Sequence, residues 1–203
     1  MKIFVINLER RLDRWFNWQI AAKLGKVENY ERWNAVDGWT IVLNDEMKHL
    51  FRNNDFYFRN GVMGCALSHY ELWQHIIKNN LKEAVIFEDD AIFATPLEIP
   101  KLPPDWDLFY FGGALKEGEV FYWMNGEVVS EGIIKPNFKQ HSFRTFAYMI
   151  SQEGAVKLVQ RVKEKGFYRA VDAFMMDAAG EMNVYSYNPL RVYATTEDTD
   201  IQL

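Results

Sequence analysis

Cysteine is almost absent: Cys65 stands alone in 203 residues. No internal disulfide can form, so the fold must hold without a covalent staple, and the composition fits a reducing compartment. Proline is sparse, and four of the six residues are gathered at Pro96, Pro100, Pro103 and Pro104. That marks one irregular connection rather than a proline-rich linker. No run approaches the ~20 apolar residues of a membrane span, and the N-terminus lacks a secretory signal pattern. An excess of positive charge is missing too. Lys and Arg number 23 against 28 Asp and Glu, a net charge of -5, which argues against a general nucleic-acid binder. No internal repeat, low-complexity tract or linker is visible. What is present is globular material, 49% hydrophobic with seven tryptophans, so the chain folds rather than staying disordered. Its length suits one domain over residues 1–203 with a substantial core. The expected location is the cytoplasm, with peripheral contact at the inner face of the cytoplasmic membrane left open.

The chain is organised around residues 84–93. Ala84-Val85-Ile86-Phe87 leads into Glu88-Asp89-Asp90, and Ala91-Ile92-Phe93 follows. The run reads as a buried strand, in which three adjacent carboxylates are costly unless something cationic meets them. Strand alternation puts Glu88 and Asp90 on one face and Asp89 on the other. Two carboxylates then face one site, and hard oxygen ligands suit Mg²⁺ or Mn²⁺. The competing reading is a solvated acidic loop at a strand end.

Residues 2–8 read as a first strand, buried on both faces. A helix follows, with Leu12, Trp15, Phe16, Gln19, Ile20 and Leu24 at helical spacing and Gly25 as its stop. Asn7 therefore sits at the carboxyl end of a strand, where open α/β sheets bind ligands. Arg10, Arg11 and Arg14 lie on the loop and first turn, within reach of a pyrophosphate or else forming a solvated basic face. Residues 31–38 look like a short strand ending in an Asp37-Gly38 turn. Asn44 caps a short helix. The next helix opens at Gly61-Val62-Met63-Gly64-Cys65-Ala66-Leu67-Ser68-His69, where the glycines permit close backbone approach. Beyond the acidic run, residues 107–113 and 142–150 read as strands. Asn125-Gly126 is the strongest hairpin signal. Ser151 caps a helix ending at Gly166, residues 171–177 form a short apolar helix with two acids, and a late strand is interrupted by Pro189.

Four stretches in this order resemble glycosyltransferase family 25, the lipooligosaccharide and collagen galactosyltransferase family. They are Val5-Ile6-Asn7-Leu8 with Arg14; Gly61 through His69; Ile86-Phe87-Glu88-Asp89-Asp90; and Thr145 through Ser151 with Gly154-Ala155. Ala35-Val36-Asp37-Gly38, residues 106–113 and Val171-Asp172 match more weakly. The specific part is the glycine-cysteine-serine-histidine stretch about 20 residues before the triplet. The resemblance implies a single-domain α/β fold of the GT-A, nucleotide-sugar-binding kind with a mostly parallel central sheet. It also implies a nucleotide-sugar donor, usually UDP-galactose, and inverting transfer to a hydroxyl of a glycan or lipid-linked glycan. The short, disulfide-free chain looks like the bacterial kind.

By the same resemblance the triplet plays the part of a DxD metal motif. Asp90 is the leading ligand for Mn²⁺ or Mg²⁺, and Glu88 or Asp89 orients a metal-bound water or the ribose. Asn7, Arg14, Asp37 and Ser68 are expected at the donor. The base is sought among Asp172, Asp177, His69 and His141. Asp172 leads because apolar neighbours would raise its pKa, while the competing reading makes it the cap of its helix. Cys65 is expected to be a small packed side chain. Two other functions are weighed. A metal-dependent phosphohydrolase or nucleotidyltransferase would need further carboxylates converging on Asp90, such as Asp198 or Asp200. A non-catalytic nucleotide-sugar or glycan-binding module would bind UDP without turnover.

Overall fold

The computed structural model describes residues 1–112, 126–137 and 144–194. Lys2–Asn7 forms β1, and its last four residues are buried. Leu12–Leu24 forms α1 and ends at Gly25. After β2, Tyr30–Asn34, Asp37 caps a single 3-10 turn, Gly38–Thr40, by accepting from the Trp39 N–H at 3.1 Å. Asn44 caps α2, Asp45–Leu50, through the Met47 N–H at 2.9 Å. Each cap satisfies a donor that a helix start leaves unpaired. α3, Asn60–Lys78, feeds β3, Glu83–Glu88. Then come β4, Ala91–Phe93, β5, Leu108–Tyr110, β6, Gly126–Ser130, β7, Ile133–Pro136, and β8, Ala147–Ser151. Ser151 caps α4, Gln152–Lys165, and Gly166 ends it at φ +72°, a conformation glycine adopts without steric cost. α5, Val171–Ala178, β9, Val184–Tyr187, and β10, Val192–Ala194, complete the described chain.

The main sheet has the order β2-β1-β3-β8-β5-β9-β7-β6. Its pairings make six strands run one way, with β7 and β8 running against them. The fold is thus α/β with a sheet mostly of one direction, and wholly parallel across β2, β1 and β3. Trp18 and Ala22 of α1 pack on Val5, Val85 and Phe87 on one face. On the other face, Trp73 of α3, Leu158 of α4 and Phe174 of α5 pack with Phe4, Ile6 and Ile86. The chain leaves β1 along one face to reach β2 and returns along the opposite face to reach β3. β1 is therefore a topological switch point, and the crevice beyond its carboxyl end is where such sheets take ligands.

Three expectations need correction. First, residues 84–93 are not one strand. β3 ends at Glu88, Asp89 and Asp90 form a turn, and β4 leaves to pair with β10 in a separate two-stranded sheet. The break relieves the cost of carrying three acids along a buried strand. It also cancels the expected alternation of Glu88 and Asp90 against Asp89. Second, α1 turns its expected apolar stripe outward: Leu12, Phe16, Ile20 and Leu24 are exposed, while Trp18, Ala21 and Ala22 are buried. The two alanines keep that face low, and Trp18 fills it, its ring centroid 5.1 Å from Phe87 and 5.7 Å from Tyr30. A buried indole outweighs an edge of separate, exposed apolar side chains. Third, the hairpin of β6 and β7 turns at Glu131-Gly132, with Gly132 at φ +72°. Gly126 instead begins β6, and Asn125 lies outside the described residues.

Candidate active site

A cleft opens at the carboxyl ends of β1, β2 and β3, where open α/β sheets take ligands. Its lining includes Asn7, Arg14, Asp37, Ser68, Glu88, Asp89 and Asp90. Every donor-side and metal residue expected from the sequence therefore meets here, contributed by segments distant in the chain. The start of α3 can lie against the loop after β2 because both are glycine there. A Cβ on Gly64 would stand 2.7 Å from the Val36 carbonyl and 2.8 Å from the Gly38 nitrogen. Ser68 fixes the same junction, accepting from the Val36 N–H at 2.9 Å and donating to the Gly64 carbonyl at 2.7 Å.

The three acids have different partners. Asn7 donates through Nδ2 to Asp89 Oδ2 at 2.5 Å, and Arg14 pairs with Asp89 Oδ1. Both oxygens of Asp89 are thus engaged, and Asn7 is itself held by Arg32, whose Nε donates to Asn7 Oδ1 at 2.8 Å. Burial raises the Asp89 carboxyl, with Arg14 and Asn7 pulling back. Glu88 points elsewhere. His69 Nε2 lies 3.2 Å from its Oε1, and the Thr145 hydroxyl donates to the same oxygen at 2.5 Å. Burial opposes the charge on Glu88, yet His69, Thr145 and Arg14 together hold its pKa below the ordinary value. Asp90 carries the least compensated charge of the three. Its Oδ2 is 3.3 Å from Arg14, while Oδ1 is buried with no hydrogen-bond partner. Burial first, then the charge of Glu88, push its carboxyl up to about 7 against the pull of Arg14. Neighbouring carboxylates driven apart in this way mark sites of chemistry more often than of structure.

These residues fit a hard divalent cation. Mg²⁺ and Mn²⁺ are commonly held by one or two carboxylates together with substrate phosphates, and the orphaned Asp90 oxygen supplies such a ligand. Asp89 does not, because its oxygens are taken. Arg10 and Arg14 both line the cleft, Arg10 paired with Asp37 at 2.8 Å. Arg11 turns away to Asp13.

Asp172 lies outside the cleft lining, in the first turn of α5, where its charge acts on Glu88, Cys65 and Tyr110. Burial raises its pKa, offset in part by the Ala173 N–H, which donates to Oδ1 at 2.7 Å. The helix cap is Ala170, not Asp172, so the capping role does not hold. Asp177 is engaged by Arg169 at 2.9 Å and by the Tyr168 hydroxyl at 3.1 Å. His69 is fully buried between Tyr148 and Glu88. His141, Asp198 and Asp200 lie outside the described residues. Sequence reasoning gave no site role to Arg32, nor to Thr145 and Tyr148, which it named only within a stretch carrying the resemblance. Their partners lie 25, 57 and 79 residues away, and no local pattern carries such pairings.

An α/β sheet with an acidic, arginine-braced cleft at its switch point has the architecture in which such sheets take small ligands. Residues 1–100 match the family model for glycosyltransferase family 25 (LPS biosynthesis protein). Sequence relatives agree over 78% of the chain. A glycosyltransferase 25 family member of Anopheles gambiae is 30% identical over 174 residues. Procollagen galactosyltransferase 1-A of Xenopus laevis is 32% identical over 178, and the human inactive glycosyltransferase 25 family member 3 is 31% identical over 176. The chain belongs to glycosyltransferase family 25. It spans about 28% of the length of each of these relatives. No described helix is long and apolar enough to cross a membrane.

Proposed function

We propose that the chain is an inverting glycosyltransferase. It moves a hexose, galactose by family analogy, from a UDP-sugar to a hydroxyl of a glycan or lipid-linked glycan during assembly of surface lipooligosaccharide or polysaccharide. The observation that carries this reading is the partnerless, buried Oδ1 of Asp90 in a cleft at the switch point. An anion site needing a cation, placed where a nucleotide would lie, suits a sugar diphosphate better than a neutral ligand.

Inverting transfer forms a bond from the acceptor oxygen to the anomeric carbon and breaks the bond from that carbon to the diphosphate oxygen. A base takes the hydroxyl proton. Asp90 would hold the divalent ion, and Glu88, fixed by His69 and Thr145, would orient the ribose. When bound, the ion supplies charge compensation for the leaving diphosphate. Arg14 and Asn7 hold Asp89 rigid beneath the site. Trp39 lines the cleft with 63% of its surface exposed and offers a flat apolar face to the uracil ring. Asp172 is the proposed base by family resemblance: burial raises its carboxyl and its charge acts on Glu88 of the cleft, although it stands outside the lining itself.

The names of relatives include both galactosyltransferases and inactive members, so turnover must be measured directly. The test is UDP release from a panel of UDP-sugars, with Mn²⁺ or EDTA, with and without acceptor glycans. Metal-dependent release that requires an acceptor is expected. Acceptor-independent hydrolysis at the same rate would indicate a phosphohydrolase instead, and UDP binding without turnover against any acceptor would indicate a binding module.

A further inference from the structure

The compact group of metal-ligating atoms among the described residues is not the acidic triplet. It is Cys65, His69 and Glu88, one ligand atom from each, all within 4.8 Å of one another. We infer that these three residues form a site for a thiophilic divalent cation of the Zn²⁺ class, distinct from the hard-cation position at Asp90.

Sequence and fold both favour it. Cys65 and His69 are four residues apart on α3, so they stand one turn apart on the same helix face. That spacing recurs where a helix supplies two ligands to zinc. Glu88 arrives from the end of β3, with its Oε1 already 3.2 Å from His69 Nε2, a separation suited to two ligands of one ion. The surrounding contacts are those that orient metal ligands. The other ring nitrogen, Nδ1, meets the Tyr148 hydroxyl at 2.9 Å, and that hydroxyl accepts from Trp73 Nε1 at 2.9 Å. Thr145 donates to Glu88. Histidine ligands are characteristically fixed through the second nitrogen, and carboxylate ligands by hydrogen bonds of this kind.

Charge and hardness then select the ion. A thiolate, a neutral imidazole and a carboxylate carry a charge of about -2, matching a divalent cation. Sulfur and imidazole favour Zn²⁺ over Mn²⁺ or Mg²⁺, whereas the oxygens of Asp90 favour the reverse. All three residues line the cleft, so a fourth position would face it, open to water or ligand rather than closed by protein.

The test uses the whole chain, stripped with chelator and kept reduced, and reads metal binding rather than activity, so its outcome is independent of the glycosyltransferase reading. Zn²⁺ is titrated by equilibrium dialysis, and Co²⁺ serves as a spectroscopic probe, since a cobalt–thiolate bond adds a near-ultraviolet charge-transfer band. Wild type should retain one Zn²⁺ and show the band. Cys65→Ser, which keeps the shape of the side chain, should lose the band and weaken Zn²⁺ binding by more than the about 10–100-fold typical of losing an outer partner. Asp90→Asn should retain both signals. Zn²⁺ bound equally by wild type and Cys65→Ser, or by neither, overturns the site, as does loss of Zn²⁺ in Asp90→Asn with retention in Cys65→Ser.

Discussion

Asp89 and Asp90 are adjacent, chemically identical and differently placed. Asp89 spends both oxygens on Asn7 and Arg14, while Asp90 keeps one oxygen buried and unpartnered. Asp90→Asn should therefore abolish transfer and metal-dependent UDP binding while leaving the fold intact, and a variant still active with Mn²⁺ would exclude Asp90 as a required ligand. The same residue predicts a pH dependence. An acid whose pKa rises on folding, here from 3.8 to about 7, binds more protons folded than unfolded across that window. Stability consequently falls as pH rises through it. In chelator, the melting temperature of wild type should drop relative to that of Asp90→Asn between about pH 4 and about pH 7; parallel profiles would refute the assignment. Asp172→Asn retains an acceptor for the Ala173 N–H. It should keep stability and UDP affinity yet lower acceptor-saturated kcat by about 10²–10⁴-fold, the usual share of a general base. Near wild-type turnover would place the base elsewhere.

At the scale of the element, α1 and the start of α3 make opposite demands. The exposed edge of α1 is energetically idle in this chain. Phe16→Ser should change stability by no more than about 0.5 kcal/mol, whereas Trp18→Ala should cost about 3–5 kcal/mol, both read by denaturant unfolding. Equal losses would mean that the expected stripe, not the alanine face, packs on the sheet. Gly64 is the tighter constraint, since an added methyl meets the backbone of Val36 and Gly38 in the loop after β2. Gly64→Ala should lower the melting temperature and weaken UDP binding together, because the junction it forces apart forms one wall of the cleft. How legible the elements were follows from the same distinction. α4 was bounded correctly by Ser151 and Gly166, because caps act within one turn. The buried face of α1 was not, because two stripes of similar strength compete and only the sheet chooses between them.

The whole molecule places its acids where three parallel strands end, on the line where the chain changes from one face of the sheet to the other. The donor is predicted at that scale: UDP-galactose should exceed UDP-glucose in kcat/KM. One axial hydroxyl separates the two, and a site that hydrogen-bonds it discriminates strongly. Equal or better kcat/KM with UDP-glucose or a UDP-N-acetylhexosamine would exclude galactose as the preferred sugar. The family match concentrates in residues 1–100, which hold β1, β2, β3 and nearly all of the cleft. Strands β5 to β9 complete the main sheet, and α4 and α5 cover one of its faces.

Sequence alone determined what local chemistry can determine. Apolar runs became strands, 3.6-residue periodicity and caps became helices, and a triplet of acids flanked by apolar residues became one wall of a cleft. These signals act over a few residues, so they survive without knowledge of the partner. Tertiary structure decided which acid is paired and which is left open, because Asn7 meets Asp89 across 82 residues of chain. It also broke the acidic strand in two, turned Leu12, Phe16, Ile20 and Leu24 outward, and brought Cys65 and His69 to Glu88. Each of these outcomes depends on the order of strands in the sheet and on which face each connection crosses. Strand order is a property of the assembled molecule, set by the burial of all its faces at once.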